Sequence, residues 1–489
     1  MKGKRWLILL VSLAAVLLAS NIGVTRGYFA DLESSSGNIF QAWASRQWVQ
    51  TTQTDFNAGV LTNVATTPSP GDGNVILAVK SDWYNMSWSR QAPVTINNPG
   101  SGLTNYQVKV QVAYDSDMQL NFNDIRFTAA DGTTLLSYWR ESYTAGVSAI
   151  FWVKVPSIPS GSSTVYMYYG NSAAGSTSDG ANTFEFFDDF SGGLGKWTID
   201  PQNTDKVYTD NVNGNSAPAL RHDPDSSQTK NGYFDTRLIT SSYTMRNGVI
   251  EYDVYLAGAP RIIHQLGFRV NSLSFTNGYC WRMQNSTADG GWLKFNSGSW
   301  SKIGTNWGPT TGGVWHSVKL EILDTNFKAY IDGGSAISVT DTSKQTADYL
   351  VSHVHGVSLT SSSYVLVDNV RVRQYTSPEP TTSLGSEEGM YVLLGTIASQ
   401  VWDTGVASAR WDALFWDETL ETGTNITFEV RAANTLVGGF PDASWIPVGG
   451  TSPVISGLPS GQYMQWRATL TTSDTSKTPT LREVRVYHY

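Results

Sequence analysis

From Trp83 to Tyr487 the apolar residues fall into short alternating runs cut by Gly, Asn, Asp and Ser, and no amphipathic helical pattern follows the amino terminus. Tyr106–Tyr114 is the clearest run: three valines lie on one side, with Gln107, Lys109 and Gln111 among the residues of the other. Side chains alternate across a strand, so this pattern describes a strand with one wet face. Repetition of such runs between turn residues specifies an all-β, multidomain chain of tandem jelly-roll or β-sandwich domains. A length of 489 residues is too great for one core, and two to four domains are expected.

Charged residues make up 15% of the chain and the net charge is −8. Lys and Arg form no cluster, which argues against nucleic acid as a partner, because phosphate contacts need one. Cys280 is the single cysteine, so no intrachain disulfide forms, and in its Tyr-Cys-Trp setting it reads as a small buried residue. Lys2, Lys4 and Arg5 precede the apolar run Trp6–Leu18 and then Ala19-Ser20. That is a secretory leader, assigned to 1–27, with a run short for a membrane span. Loss of Lys2, Lys4, Arg5 and Arg26 with the leader takes the charge from −8 to −12. The expectation is a prokaryotic, secreted or cell-surface protein with no membrane span after cleavage.

Gly27-Tyr-Phe-Ala-Asp31 and Ser36-Gly37-Asn38-Ile-Phe40 resemble the start of camelysin/TasA-type exported proteins, which implies export and cleavage near Gly27. Residues 28–80 read as an N-terminal β segment and linker. Over 81–183, Asp124-Ile-Arg-Phe127, Asp131-Gly, Tyr138-Trp139, Phe151-Trp-Val-Lys-Val155 and Tyr168-Tyr-Gly-Asn171 occur in order. This series resembles the family called domain of unknown function 2341, which carries no established activity. Residues 184–376 resemble a concanavalin A-like, laminin-G-type jelly roll. The resemblance rests on Phe187-Asp-Asp-Phe190 with Trp197, Gly248–Leu256, Trp315–Ile322, Phe327–Gly333 and Val367-Asp-Asn-Val-Arg-Val372. Residues 377–384 read as a linker and 385–489 as a second β-sandwich. In similar exported proteins a strand like Asn74–Val79 leads directly into a run like Gly395–Gly405, so 51–80 is expected to pack on that last domain.

The candidate chemistry gathers in the jelly roll. Alternation places Asp188 between Phe186 and Phe190, and Asp368 in a row with Tyr364, Leu366, Val370 and Val372. Two acids on apolar rows at opposite ends of a segment suggest that the ends meet, and structural calcium at Asp188 and Asp368 would compensate the charge. Glu251 and Asp253 share one strand face, as paired carboxylates of a glycosidase would, but the third acid of such motifs is missing. His316 lies in the apolar row with Val318, Leu320 and Ile322 and reads as a satisfied core histidine. His353 and His355 face one way without a third zinc ligand. Trp139, Trp281, Trp292, Trp300 and Trp307 stand in polar or Gly-rich surroundings and are the candidate sugar-stacking rings.

The expected function is non-catalytic carbohydrate binding or adhesion through the central jelly roll, with a glycan or other surface polymer as partner. Two other classes stay open. One is a self-associating subunit of an extracellular matrix, sheath or filament; the other is a polysaccharide-degrading glycosidase using Glu251 and Asp253.

Overall fold

The computed structural model describes residues 46–488 apart from 70–71, 203–205, 212–217, 224–232, 259–261, 286–288, 358–361, 437–439 and 441–442. The leader and the exported-protein motif up to Phe40 lie outside the described residues. Among those described, helix is confined to Gln53–Asn57 and Gly180–Thr183, and the rest of the regular structure is strand. The chain is all-β, with three separate large cores.

The first core lies between two sheets. One holds Arg90–Asn98, Gly161–Tyr169 and Arg126–Thr128; the other holds Leu103–Ala113, Ser148–Ile158 and Tyr138–Thr144. Val108, Val110 and Val112, the valines of the alternating run, point into this core beside Phe127 and Phe151. The stretch after Ser377 does more than connect domains. Thr381–Leu384 adds itself as a strand to Arg90–Asn98, supplying partners to an edge that would otherwise be open.

The jelly roll has two layers. The closing sheet contains Phe186–Asp188, Ala219–His222, Tyr364–Arg373, Gly248–Ala257, Trp315–Leu323, Asn326–Ile331 and Ile337–Thr340. The facing sheet runs in the order Trp197–Ile199, Tyr233–Met245, Asp348–Val357, Ile262–Val270, Asn277–Gln284, Gly291–Asn296 and Ser299–Lys302. Tyr252, Val254 and Leu256 from one layer and Leu266, Phe268 and Trp281 from the other are fully buried between them. Each such side chain contributes ~1.5–3 kcal/mol. Trp315–Leu323 and Asn326–Ile331 form a hairpin through Asp324-Thr325, with Asp324 in the left-handed region that tight hairpin turns demand.

The two ends of the jelly-roll segment do pair, with Phe186 opposite Val372 and Asp188 opposite Val370. The inward row of the last strand differs from simple alternation. Val365, Val367, Val370 and Val372 line the core. An irregularity beside Tyr252, with Asn369 at φ +52°, inserts one residue and swaps the faces. Asp188 therefore lies on the core side with Phe186. Asp368 lies on the outer side, opposite Asp253. The two acids expected to share a metal are on opposite faces of one sheet.

The third core joins residues distant in sequence. Arg46–Gln50 pairs with 484–488, and Val60–Thr62 pairs with Leu394–Ala398. Phe56 is buried among Val430, Trp466 and Val486, and the Trp466 indole donates to Gln50 Oε1 at 2.7 Å.

Candidate functional site

The jelly roll has two outer faces, and they differ in what covers them. On the closing sheet, Glu251 is held by Arg371 (3.4 Å) and Arg373 (3.3 Å). Arg371 continues to Glu141 of the first domain, and Arg373 reaches Glu379 (3.0 Å) and the Tyr106 hydroxyl (3.2 Å). Burial alone would raise the Glu251 pKa, but the two arginines bring it down to about 2. Burial raises that of Asp253, whose carboxylate accepts from Asn369 Nδ2 at 3.0 Å. The pair proposed for glycosidase chemistry thus sits in the seam between two domains, tied into an ion-pair network. Trp139 belongs to the same seam. It packs edge-on against Phe184 and Phe187 under the Arg371 guanidinium, which leaves no ring face for a sugar.

Asp188 is supplied with donors by the protein. Its Oδ2 accepts from the Trp197 indole (2.7 Å), and its Oδ1 from Phe190 N (3.1 Å) with Lys196 Nζ at 3.4 Å. Asp368 accepts from Asn369 N at 2.7 Å. Among the described residues, one acid trio is close enough to share an ion: Asp115, Asp117 and Glu387. Arg90 already sits against it, 2.6 Å from Asp117.

The facing sheet carries a different arrangement on its outer face. Alternation sends Tyr279, Trp281 and Met283 inward and Cys280 and Arg282 outward. Register then places Arg237, His353, Gln265, Arg282 and Gly291 in one transverse row across five strands. Next to this row, Ile239, Val351, Cys280 and Leu293 form an apolar strip under Phe275. Cys280 is fully buried there, with its thiol pKa pushed up to about 12 by burial.

The polar row has two tiers. The buried tier is a chain of hydrogen bonds. Gln265, with its amide oriented to satisfy both neighbours, accepts from Arg282 at 2.9 and 3.0 Å and donates to His353 Nδ1 at 2.7 Å. His353 Nε2 then lies 2.8 Å from Asp235 Oδ1. Because Nδ1 accepts from Gln265, the neutral imidazole carries its proton on Nε2. Burial lowers the pKa of His353 despite the Asp235 charge, and lowers that of His355, stacked on it at 4.8 Å, further. Burial pushes Asp235 up, but His353 and Arg237 hold it well below the usual carboxylate range.

The exposed tier rests on this chain. Arg237 clasps Asp235, and Arg282 Nη1 meets Asp289 at 3.3 Å. Lys302 also pairs with Asp289 and reaches Asn306 at 2.8 Å. Trp300 lies across from Phe295 and so shares the outer face. The Arg282 guanidinium supports one side of its ring at 4.7 Å, and 53% of the residue remains exposed. The result is a polar band with ordered donors and acceptors that ends on a fixed, open aromatic face.

The other tryptophans separate clearly. Trp281 (0% exposed) and Trp292 (1%) are core residues, and the Trp292 indole donates to the Ile337 carbonyl. Both lie on the inward row, so neither can stack on a ligand. Trp307 is half-buried against Trp281 and borders a cavity. His316 ends the inward row and is satisfied by Asp332 and the Thr311 carbonyl. The residues that sequence reading missed are Asp235, Gln265, Arg282, Asp289 and Lys302. Gln265 and Arg282 left one trace: each is polar on the outer side of a strand whose inner side is apolar.

Residues 121–200 match the family model described as "Domain of unknown function (DUF2341)". No curated protein matches the chain. Among solved structures, the chain is similar to the carbohydrate binding module CBM66 from Bacillus subtilis, at 16% identity and TM-score 0.29, over 37% of this chain and 97% of that one. It is similar to the Bacillus licheniformis beta-glucanase at 15% identity and TM-score 0.31, over 39% and 98%. The catalytic domain of an endo-1,3-beta-glucanase (laminarinase) from Thermotoga petrophila gives 12% identity and TM-score 0.31, over 40% and 98%. The segment from Asp124 to Asn171, which carries the five motifs read as resembling this family, falls within the matching stretch.

Proposed function

We propose that this protein is a non-catalytic, extracellular binding protein for a glycan, which it takes along the outer face of the facing sheet. The observation that carries this reading is the band from Asp235 through His353, Gln265 and Arg282 to Trp300. A sugar ring offers an apolar C–H face and a rim of hydroxyls. The open side of Trp300 suits the first, and Asp289, Lys302, Asp235 and Arg237 suit the second. The buried tier holds these groups in place beforehand, which reduces the ordering cost of binding. A transverse band suits an extended chain better than a single ring.

Non-catalytic binding is favoured because the band pairs each of its carboxylates, Asp235 and Asp289, with cations, leaving neither as a proton donor. The basic start and the apolar run Trp6–Leu18 support an extracellular place. The test is a glycan array probed with the full chain and with Trp300→Ala. At least one polysaccharide should retain the wild type, and the variant should lose at least ~10-fold in affinity with an unchanged melting temperature. Retention that ignores Trp300, or hydrolysis of the retained polymer, would contradict the reading.

A further inference from the structure

A second site lies away from the polar band, at the open edge of the sandwich. There the loop after Ser299–Lys302 passes the turn between Asn326–Ile331 and Ile337–Thr340, leaving an open-sided cavity of about 270 Å³. That volume is just below the range typical of drug-sized ligands, and it suits one small ring rather than a chain.

The lining is divided. Trp307, Ile331 and Ile337 form an apolar wall, while Asp332 and Ser335 supply polar groups. Asp332 is placed with care. Its backbone is left-handed (φ +50°) at the turn before Gly333. Its Oδ1 accepts from Ser317 N at 2.9 Å, and its Oδ2 lies 2.7 Å from His316 Nδ1. His316 is fixed in turn by a 2.8 Å contact from Nε2 to the Thr311 carbonyl. A carboxylate accepts about four hydrogen bonds, so each oxygen keeps capacity for a ligand hydroxyl, and the side chain is 52% exposed. His316 is a positioning residue: it aims the acid and is itself mostly buried at the cavity wall.

We infer that this cavity binds one neutral sugar ring, with the C–H face on Trp307 and adjacent hydroxyls on Asp332. The negative charge of Asp332 disfavours uronic acids and phosphorylated sugars. The site uses none of the residues of the band, so it stands or falls separately from the proposed function.

Saturation-transfer NMR on the full chain with millimolar glucose, galactose, mannose, N-acetylglucosamine and glucuronate tests the inference. At least one neutral sugar should give a signal and glucuronate none. Asp332→Asn, tolerated at this backbone angle, should reduce the signal at least ~10-fold, as should Ser335→Trp, which fills the cavity without touching the acid. Trp300→Ala should leave it intact. Silence from every neutral sugar, a signal indifferent to both cavity variants, or an equal signal from glucuronate would overturn the inference. Failure here with Trp300-dependent polymer retention intact would remove this pocket alone; the converse would remove the band alone.

Discussion

The two outer faces of the jelly roll carry similar residues to different ends. Each has carboxylates beside arginines and a tryptophan under a guanidinium. On the closing sheet, Glu251, Arg371 and Arg373 are sandwiched against Glu141, Tyr106 and Trp152 of the neighbouring domain, and Trp139 is shut in with Phe184 and Phe187. On the facing sheet the equivalent groups stop one layer short of cover, and Trp300 stays open. Two acids on one strand face therefore say little about catalysis until the opposite side of that face is known. The same chemistry glues domains where it is buried and offers itself to a ligand where it is not.

The largest expected effect on this contrast is one of pH. Four neutral histidines are built into the jelly roll: His222 and His264 inside it, joined through Ser352, and His353 and His355 on the outer face. Burial lowers the pKa of each, to about 3 for His264. Below about pH 6.5 the unfolded chain takes up protons that the folded chain refuses. Stability should be constant with respect to these groups above that pH and fall below it, by up to ~1.4 kcal/mol per histidine per pH unit. Denaturant melts between pH 7 and 5 check this; a flat profile would mean that the histidines are not held neutral.

Glu251→Gln should cost ~3 kcal/mol in chemical denaturation by leaving two buried arginines short of charge, the low end for a broken buried pair because Glu141 and Glu379 remain. It should not alter ligand retention. Asp188→Ala should cost ~2 kcal/mol by orphaning the Trp197 indole. The same protein donors make chelation with EDTA neutral for the melting temperature, whereas a stabilising shift with added calcium would restore the metal reading of Asp188. The smallest effect is expected for Arg282→Lys, which keeps the charge but loses the planar fork spanning Gln265, Asp289 and Trp300. Glycan affinity should fall about 5-fold, or ~1 kcal/mol.

Much of this architecture could be read from the chain because alternation is a local property. The valines at 108, 110 and 112, the hairpin around Asp324, and the meeting of Phe186 with Val372 all follow from period-two patterns and turn residues. The face of Asp368 did not follow, because a one-residue bulge at Asn369 is invisible until its partner strand is known. The polar band was hidden for a stronger reason. Its bonds cross strands that are neighbours in space but not in sequence; His353 and Gln265 are 88 residues apart. Aromatic residues posed the opposite difficulty. Trp281, Trp292, Trp300 and Trp307 lie in similar local sequence, and strand pairing is what separates the inward pair Trp281 and Trp292 from Trp300, which lies opposite Phe295 on the outer face.

The most direct measurement compares the two faces in one experiment: retention of wild type, Trp300→Ala and Glu251→Gln on the same glycan array, at a temperature where all three are folded. The expected result is loss of binding by at least ~10-fold for Trp300→Ala and wild-type retention for Glu251→Gln. Loss confined to Glu251→Gln, with Trp300→Ala binding as wild type, would place the ligand on the closing sheet and contradict the assignment of the two faces.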